Sequence, residues 1–321
     1  MEKNIYIHIG TAKTGTSAIQ KYLFENSGKD YKYVNAYLNK CVHFNRCQYA
    51  HDFSLNAIKD RNIDLLINEI DSTNYKNYIL SNEYLYHYLD QEDIKFLHDK
   101  LSKYNTTIIC YVRIQDQFVD SIFAQFVKLK QTITIDPFID FVNSHISNNE
   151  EKHGNYFNML TPWSLEFENI LINKFEKSSF YKNNLISDFL KNINVETEIK
   201  DSEIVNEKLS LNVVAYLKAC MKYNLLQVNV IMIEADYENF VLYLIDNLEK
   251  LENNETSISY ENRKKIIESY SESNKKLYKK YNIEPFEDII EDQYKNFFDI
   301  DSVTLEQAKS VVDDFNKIHL K

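Results

Sequence analysis

The amino-acid sequence predicts an α/β protein of three layers, in which helices flank a central parallel sheet, followed by a mainly helical C-terminal region. Strand-like and helix-like patterns alternate through the first 130 residues, which is typical of strand–helix–strand units. From residue 209 onward nearly every segment has helical periodicity. We therefore expect an α/β core over residues 1–200 and a mainly helical extension over 201–321 that packs on it.

The predicted strands are short apolar or alternating runs, and the predicted helices are longer segments with an apolar stripe. The clearest strand is the run TTIICYV, and the first is the alternating run NIYIHIG. We expect strands at 4–10, 31–37, 75–80, 106–112 and 170–175. We expect helices at 17–26, 60–70, 92–104, 115–130, 184–191, 209–223, 237–251, 261–281 and 305–318.

The charge balance argues against nucleic acid as a partner. The formal net charge is −11 at pH 7, and a negative chain is repelled by a polyanionic backbone. An anionic substrate must then be held by a few well-placed cations. The chain has only four arginines (Arg46, Arg61, Arg113 and Arg263), so an arginine that ends an apolar strand is a candidate anion ligand.

The N-terminal residues lead directly into the first apolar alternation, which predicts no export signal. No apolar stretch approaches the ~20 residues that span a bilayer. We therefore expect a cytoplasmic protein whose four cysteines stay reduced.

The turn between the first strand and the first helix has the composition of an anion site. Two of the four glycines of the chain lie within six residues here, and glycine permits positive φ and close backbone approach. The N–H groups at a helix start favour an anion. A lysine and three hydroxyl side chains add donors. The candidate binding residues are Gly10, Lys13, Thr14, Gly15, Thr16 and Ser17.

The order of residues in this loop argues against ATP. The Walker motif ends in Gly-Lys-[Ser/Thr], whereas Lys13 here precedes Thr14 and Gly15. A nucleotide or small-molecule kinase, which would require Mg²⁺ and ATP, remains the alternative function.

The loop resembles the 5′-phosphosulfate loop of sulfotransferases that use 3′-phosphoadenosine 5′-phosphosulfate (PAPS). In that family a strand ends in His-x-Gly-x-x-Lys-[Thr/Ser]-Gly-[Thr/Ser]-[Thr/Ser], and a helix with Gln and Leu follows. The matching residues are His8, Gly10, Lys13, Thr14, Gly15, Thr16, Ser17, Gln20 and Leu23. The resemblance implies a P-loop-like fold, PAPS as cofactor, PAP (adenosine 3′,5′-bisphosphate) as product and no required metal.

A second match concerns the cofactor's 3′-phosphate, which this family binds with an Arg at the end of a central strand and a Ser in the next helix. Arg113 ends the run TTIICYVR, and Ser121 lies eight residues later. That spacing is about two helical turns, which would return Ser121 towards the strand end. The simpler interpretation of Arg113 is an ion pair with Asp116 or Asp120.

A third, weaker match is the segment Gly154-Asn155-Tyr156 with Leu160 and Trp163. It resembles the Gly-x-Tyr…Leu-x-x-Trp segment of heparan-sulfate-type and bacterial glycan sulfotransferases. The resemblance implies a glycan or glycolipid acceptor, such as a bacterial surface carbohydrate. For Trp163 we prefer the simpler interpretation of a core anchor.

The resemblance assigns Lys13 to the bridging oxygen, where negative charge grows as the sulfuryl group leaves. An acceptor hydroxyl also needs a general base. Glu83 is one candidate, because it follows a strand at the carboxyl edge of the sheet. His51 is nearly equal, since its ordinary pKa suits base chemistry, and His43 is more remote.

The sequence suggests two further interpretations, a zinc site and a module without catalysis. Cys41, His43, Cys47 and His51 fall within eleven residues, but their spacing does not match a zinc knuckle; we predict no metal. A module that binds the nucleotide without catalysis is the third class of function. The sequence does not indicate the oligomeric state.

Overall fold

The computed structural model describes residues 2–43, 46–129, 137–196, 209–226, 234–248 and 255–319. The strands are β1 Asn4–His8, β2 Lys32–Tyr33, β3 Cys41–His43, β4 Arg46–Gln48, β5 Asn77–Ser81, β6 Asn105–Val112, β7 Asn169–Lys174, β8 Glu255–Thr256 and β9 Asn296–Phe297. The α-helices are α1 Thr16–Glu25, α2 Phe53–Lys59, α3 Asp64–Ser72, α4 Leu85–Tyr88, α5 Gln91–Leu101, α6 Gln115–Lys128, α7 Phe138–Ser147, α8 Tyr156–Glu166, α9 Leu185–Asn192, α10 Leu211–Lys222, α11 Glu234–Asn247, α12 Tyr260–Ser269, α13 Ser271–Tyr281 and α14 Leu305–His319.

The chain divides into two compact units, each made of three segments. The first unit comprises Met1–Ile114, Asn155–Glu207 and Ser271–Phe286, and the second comprises Gln115–Gly154, Lys208–Tyr270 and Glu287–Lys321. The domain boundary that we predict at residue 200 lies outside the described residues, so the division into 1–200 and 201–321 stays a prediction.

A five-stranded parallel sheet forms the centre of the first unit, in the order β2-β5-β1-β6-β7. β1 is the middle strand, and its Ile7 is aligned with Leu80 of β5 and Ile108 of β6. Parallel strands of this kind are buried on both faces, which explains their nearly continuous apolar runs. The parallel sheet predicted from the sequence is confirmed.

Helices cover both faces of this sheet. Successive side chains of a strand point to opposite faces, so Ile108 and Cys110 of β6 join one apolar cluster whereas Ile109 and Tyr111 join the other. The first cluster includes side chains of α3, α5, α8 and α13, and the second includes side chains of α1 and α9. Trp163 is fully buried in the first cluster. The three-layer architecture is therefore confirmed.

The second unit is mainly helical in its described residues. It contains α6, α7, α10, α11, α12 and α14, with one short parallel pair of strands, β8 and β9. Phe315 of α14 packs against Phe240 and Tyr243 of α11, with ring centroids 5.1 and 5.5 Å apart. Within the described ranges, no helix is both long enough and apolar enough to span a bilayer.

One predicted helix is interrupted. The periodicity of residues 261–281 predicts a continuous helix, but the structure has α12 and α13, separated by Tyr270. Near the break, the Ser269 hydroxyl donates to the carbonyl of Ile266 at 2.7 Å, which is a local bond of the kind that competes with helix continuation. A break of one residue leaves the apolar spacing intact, so the sequence pattern does not reveal it.

Candidate active site

The loop between β1 and α1 has the unusual backbone that its glycines suggest. Gly10, Lys13 and Gly15 have φ values of 105°, 66° and 73°. A Cβ atom at Gly15 would overlap Leu185 and lie 3.2 Å from Phe175. Glycine is therefore required at this position both for its conformation and for the space around it.

The loop leaves several backbone donors at the start of α1. The first N–H groups with a partner inside this turn belong to Ala18 and Ile19, which donate to the carbonyl of Gly15 at 3.0 and 3.1 Å. The N–H groups of residues 14–17 have no acceptor among the described residues. Unpaired donors at a helix start, together with the helix dipole, fit a phosphate or sulfate group.

Two of the three predicted hydroxyl donors already have partners within the protein. The hydroxyl of Thr14 is buried and donates to the carbonyl of Thr11 at 2.6 Å. The hydroxyl of Thr16 donates to Oε2 of Glu83 at 2.5 Å. Ser17 is half-buried in the first turn of α1. For Thr14 and Thr16, the structure therefore leaves the backbone N–H, rather than the hydroxyl, as the donor towards an anion.

The structure places Glu83 against this loop. A Cβ atom at Gly10 would lie 3.1 Å from Cβ of Glu83, so the missing side chain permits the approach. Burial raises the pKa of the Glu83 carboxyl, and nearby Asp52 raises it further. The Thr16 hydroxyl and the positive charge of Lys13 act in the opposite direction. Glu83 and Lys13 are thus electrostatic neighbours at the carboxyl end of the sheet.

Arg113 lies on the other side of the loop, directly after β6. Its guanidinium donates to the carbonyl of Lys13 at 3.3 Å and lies over the ring of Phe175 at 5.4 Å. The Tyr156 hydroxyl donates to the carbonyl of Arg113 at 2.5 Å and accepts from its N–H at 3.3 Å. A planar guanidinium held in this way is suited to a phosphate.

The two carboxylates that the sequence offers as partners of Arg113 both lie near a different arginine. In the second unit, the guanidinium of Arg263 pairs with Asp116 at 2.7 Å and lies 3.9 Å from Asp120. Ser121 lies on α6 of the same unit and is buried. The clamp that would combine Ser121 with Arg113 stays a prediction.

His51 is fully buried, and both ring nitrogens face the backbone. Its Nδ1 accepts from the N–H of Ser81 at 3.0 Å, and its Nε2 lies 2.8 Å from the carbonyl of Val34. Burial lowers the pKa of His51 to about 4. A neutral ring with two backbone bonds has no nitrogen left for an acceptor proton, so the geometry favours Glu83 over His51 as the base.

Three of the four residues considered as zinc ligands, one of which is also a candidate base, lie on β3 and β4. The side chains of Cys41, His43 and Cys47 lie outside the described residues, although their strands β3 and β4 are paired. Among the described side chains, no group of three or more His, Cys, Asp or Glu residues is arranged to hold a metal ion.

Two residues of this site were not predicted to contribute to it. Ser81 joins His8 to the segment that carries Glu83, since its hydroxyl lies 2.8 Å from Nδ1 of His8. Tyr156 holds the backbone of Arg113 from 43 residues away. The weak Gly-Asn-Tyr match was the only sequence signal for Tyr156, and it did not indicate this contact.

No protein-family model matches the sequence. A protein of Archaeoglobus fulgidus, described as uncharacterized, is 28% identical over 194 residues, which cover 58% of this chain and 48% of that protein. The matched part therefore spans about half the length of this relative.

Two solved structures of sulfotransferases are similar to the chain. The enzyme from Alicyclobacillus acidocaldarius has a TM-score of 0.41 and 14% identity, covering 72% of this chain and 98% of that one. Mouse sulfotransferase SULT7A1 complexed with PAP has a TM-score of 0.40 and 12% identity, covering 88% of this chain and 89% of that one. Similarity at this level does not transfer the role of any residue.

Proposed function

We propose that this chain is a PAPS-dependent sulfotransferase that transfers the sulfuryl group to a hydroxyl of a carbohydrate acceptor. One observation carries the proposal: the loop after β1 meets Glu83 on one side and Arg113 on the other. The charge of Lys13 acts on Glu83, and the Lys13 carbonyl accepts from the guanidinium of Arg113. The site thus combines anion donors, two cations and a carboxylate at one edge of the sheet.

The residues suit an in-line transfer. The N–H groups of residues 14–17 would hold the 5′-phosphate, and the guanidinium of Arg113 would bind the 3′-phosphate. As the bond between sulfur and the bridging oxygen breaks, the electron pair stays on the phosphate, where Lys13 would neutralise the charge. Glu83 would take the proton of the acceptor hydroxyl as the new oxygen–sulfur bond forms, and PAP would leave.

Aromatic side chains beside Glu83 support a sugar acceptor. Tyr84 and Tyr88 are 42% and 52% exposed, and their ring centroids lie 5.9 Å apart. Tyr86, between them in sequence, is instead buried in the core. Exposed, paired aromatic faces with polar tips are suited to stack against a sugar ring. We propose that this pair contacts the acceptor.

The donor half of the proposal is tested by calorimetry. We expect PAP to bind more tightly than ATP with Mg²⁺, because Arg113 provides a site for a 3′-phosphate. In Arg113→Lys, the affinity for PAP should fall about 10- to 100-fold, since lysine cannot form the planar fork. The affinity for AMP, which has no 3′-phosphate, should change little and serves as the internal control.

A preference for ATP with Mg²⁺ over PAP would instead support the kinase alternative. An equal loss of PAP and AMP affinity in Arg113→Lys would show that Arg113 acts on the loop rather than on the 3′-phosphate.

The acceptor half is tested with nitrophenyl glycosides of several sugars and with radiolabelled PAPS. We expect Tyr84→Ala to raise KM for the best glycoside about 3- to 10-fold, because the variant loses one aromatic contact with the sugar. Phe297→Ala removes a comparably exposed ring from the second unit and is the matched control. An unchanged KM in Tyr84→Ala would exclude Tyr84 as a sugar contact.

A further inference from the structure

Ser81, at the end of β5 and two residues before Glu83, is held through its side chain by two other elements. Its hydroxyl lies 2.8 Å from Nδ1 of His8, the last residue of β1. It also accepts from Nε2 of Gln20 on α1 at 3.1 Å. All three side chains are buried. The strand end is therefore tied to both the strand and the helix that flank the phosphate loop.

His51 holds the backbone of the same residue. The N–H of His51 donates to the carbonyl of Ser81 at 3.0 Å, and the N–H of Ser81 donates to the His51 ring at 3.0 Å. The other ring nitrogen lies 2.8 Å from the carbonyl of Val34, which follows β2. Because the Val34 carbonyl can only accept and the Ser81 N–H can only donate, these contacts fit the neutral tautomer with its proton on Nε2.

Asn82 continues this network to the residue before Glu83. Its amide donates to the His51 carbonyl at 2.9 Å and to the Ser54 hydroxyl at 3.0 Å. Its N–H donates to the His8 carbonyl, and its side-chain oxygen accepts from the N–H of Tyr84, both at 2.9 Å. The residues on both sides of Glu83 are therefore held by hydrogen bonds, which are buried for Asn82 and partly buried for Tyr84.

We propose that His51 and Asn82 are positioning residues, which fix the segment Ser81–Tyr84 so that the Glu83 carboxylate meets the phosphate loop in one orientation. This inference rests on the proposed function, in which Glu83 is the base. Both ring nitrogens of His51 and both polar atoms of the Asn82 amide have partners. Buried side chains paired in this way rigidify what they connect, and a catalytic carboxylate requires such support. The role of His51 is then to hold the base.

The kinetic test compares His51→Leu, which removes both ring contacts, with His51→Asn, which keeps an acceptor close to the former Nδ1. We expect His51→Leu to lower kcat about 10²-fold, the cost of misplacing a reacting group by about 1 Å. We expect His51→Asn to recover part of that loss. The Kd of PAP should stay within about threefold in both variants, because the N–H groups of the loop are untouched.

The pH profile separates positioning from base catalysis. If His51 positions Glu83, the acid limb of the kcat profile remains in His51→Asn and disappears only in Glu83→Gln. If His51 is itself the base, its own substitution abolishes the limb, and the proposal fails. His145→Asn is the matched control: His145 is another buried histidine, placed in the second unit, and its loss should leave kcat unchanged.

A measurement that needs no turnover keeps the test independent of the proposed function. Carbon-13 NMR of side-chain-labelled glutamate, assigned with Glu83→Gln, reports the titration of Glu83. Release of the carboxylate from its position against the phosphate loop should shift this titration towards ordinary values in both His51→Leu and Asn82→Ala. An unchanged titration in both would overturn the proposal, whereas absence of transfer by the unaltered protein would overturn only the proposed function.

Discussion

Replacing Lys13 with alanine should lower sulfuryl transfer about 10²- to 10³-fold, the loss seen when one donor to a developing negative charge is removed. Lys13 lies in the loop between β1 and α1, and its positive charge lowers the pKa of the Glu83 carboxyl. Because charge grows on the bridging oxygen only as the bond to sulfur breaks, the loss should appear mainly in kcat. Single-turnover assays with radiolabelled PAPS measure this step directly.

The matched control is Lys29→Ala, which removes an exposed lysine outside the loop and should leave transfer unchanged. The affinity for PAP, measured by calorimetry, should fall much less than the rate in Lys13→Ala. Transfer at the normal rate in Lys13→Ala would refute the role that we assign to this residue.

Replacing Glu83 with glutamine should lower kcat about 10²- to 10⁴-fold, the usual contribution of a general base. Glutamine keeps the size of the side chain and can still accept from the Thr16 hydroxyl, but it cannot take a proton. Burial raises the pKa of Glu83 above its usual 4.5. The wild-type rate should therefore fall as the pH is lowered through that raised pKa, and the variant should lack this limb.

Stability provides the control for this prediction. A carboxyl whose pKa is raised in the folded state favours folding while protonated, and this contribution is lost as the pH rises. At pH 7 the charged Glu83 therefore opposes folding, and Glu83→Gln should be at least as stable in thermal unfolding. A less stable variant would mean that the loss of rate reflects damage to the fold, and the base would have to be sought elsewhere.

The sequence by itself determined the loop and the sheet around it. The alternating run NIYIHIG and the continuous apolar run TTIICYV are both patterns of a strand, and both segments are strands of the central sheet. Gly10 and Gly15 mark positions with positive φ, and at Gly15 a side chain would also clash. These features are local, because backbone sterics and periodicity act over a few residues, and they are readable without knowledge of the fold.

Only the tertiary structure showed how the surroundings of the two candidate bases differ and which partners the hydroxyls have. Glu83 and His51 were nearly equal in sequence, but the fold brings Glu83 to Thr16 across 67 positions and joins the His51 ring to the backbone of Ser81 across 30. Likewise, no feature of the sequence indicated that Arg263 pairs with Asp116 across 147 positions. Such contacts depend on burial and on side-chain directions at the edge of the assembled sheet, and no pattern of neighbouring residues encodes them.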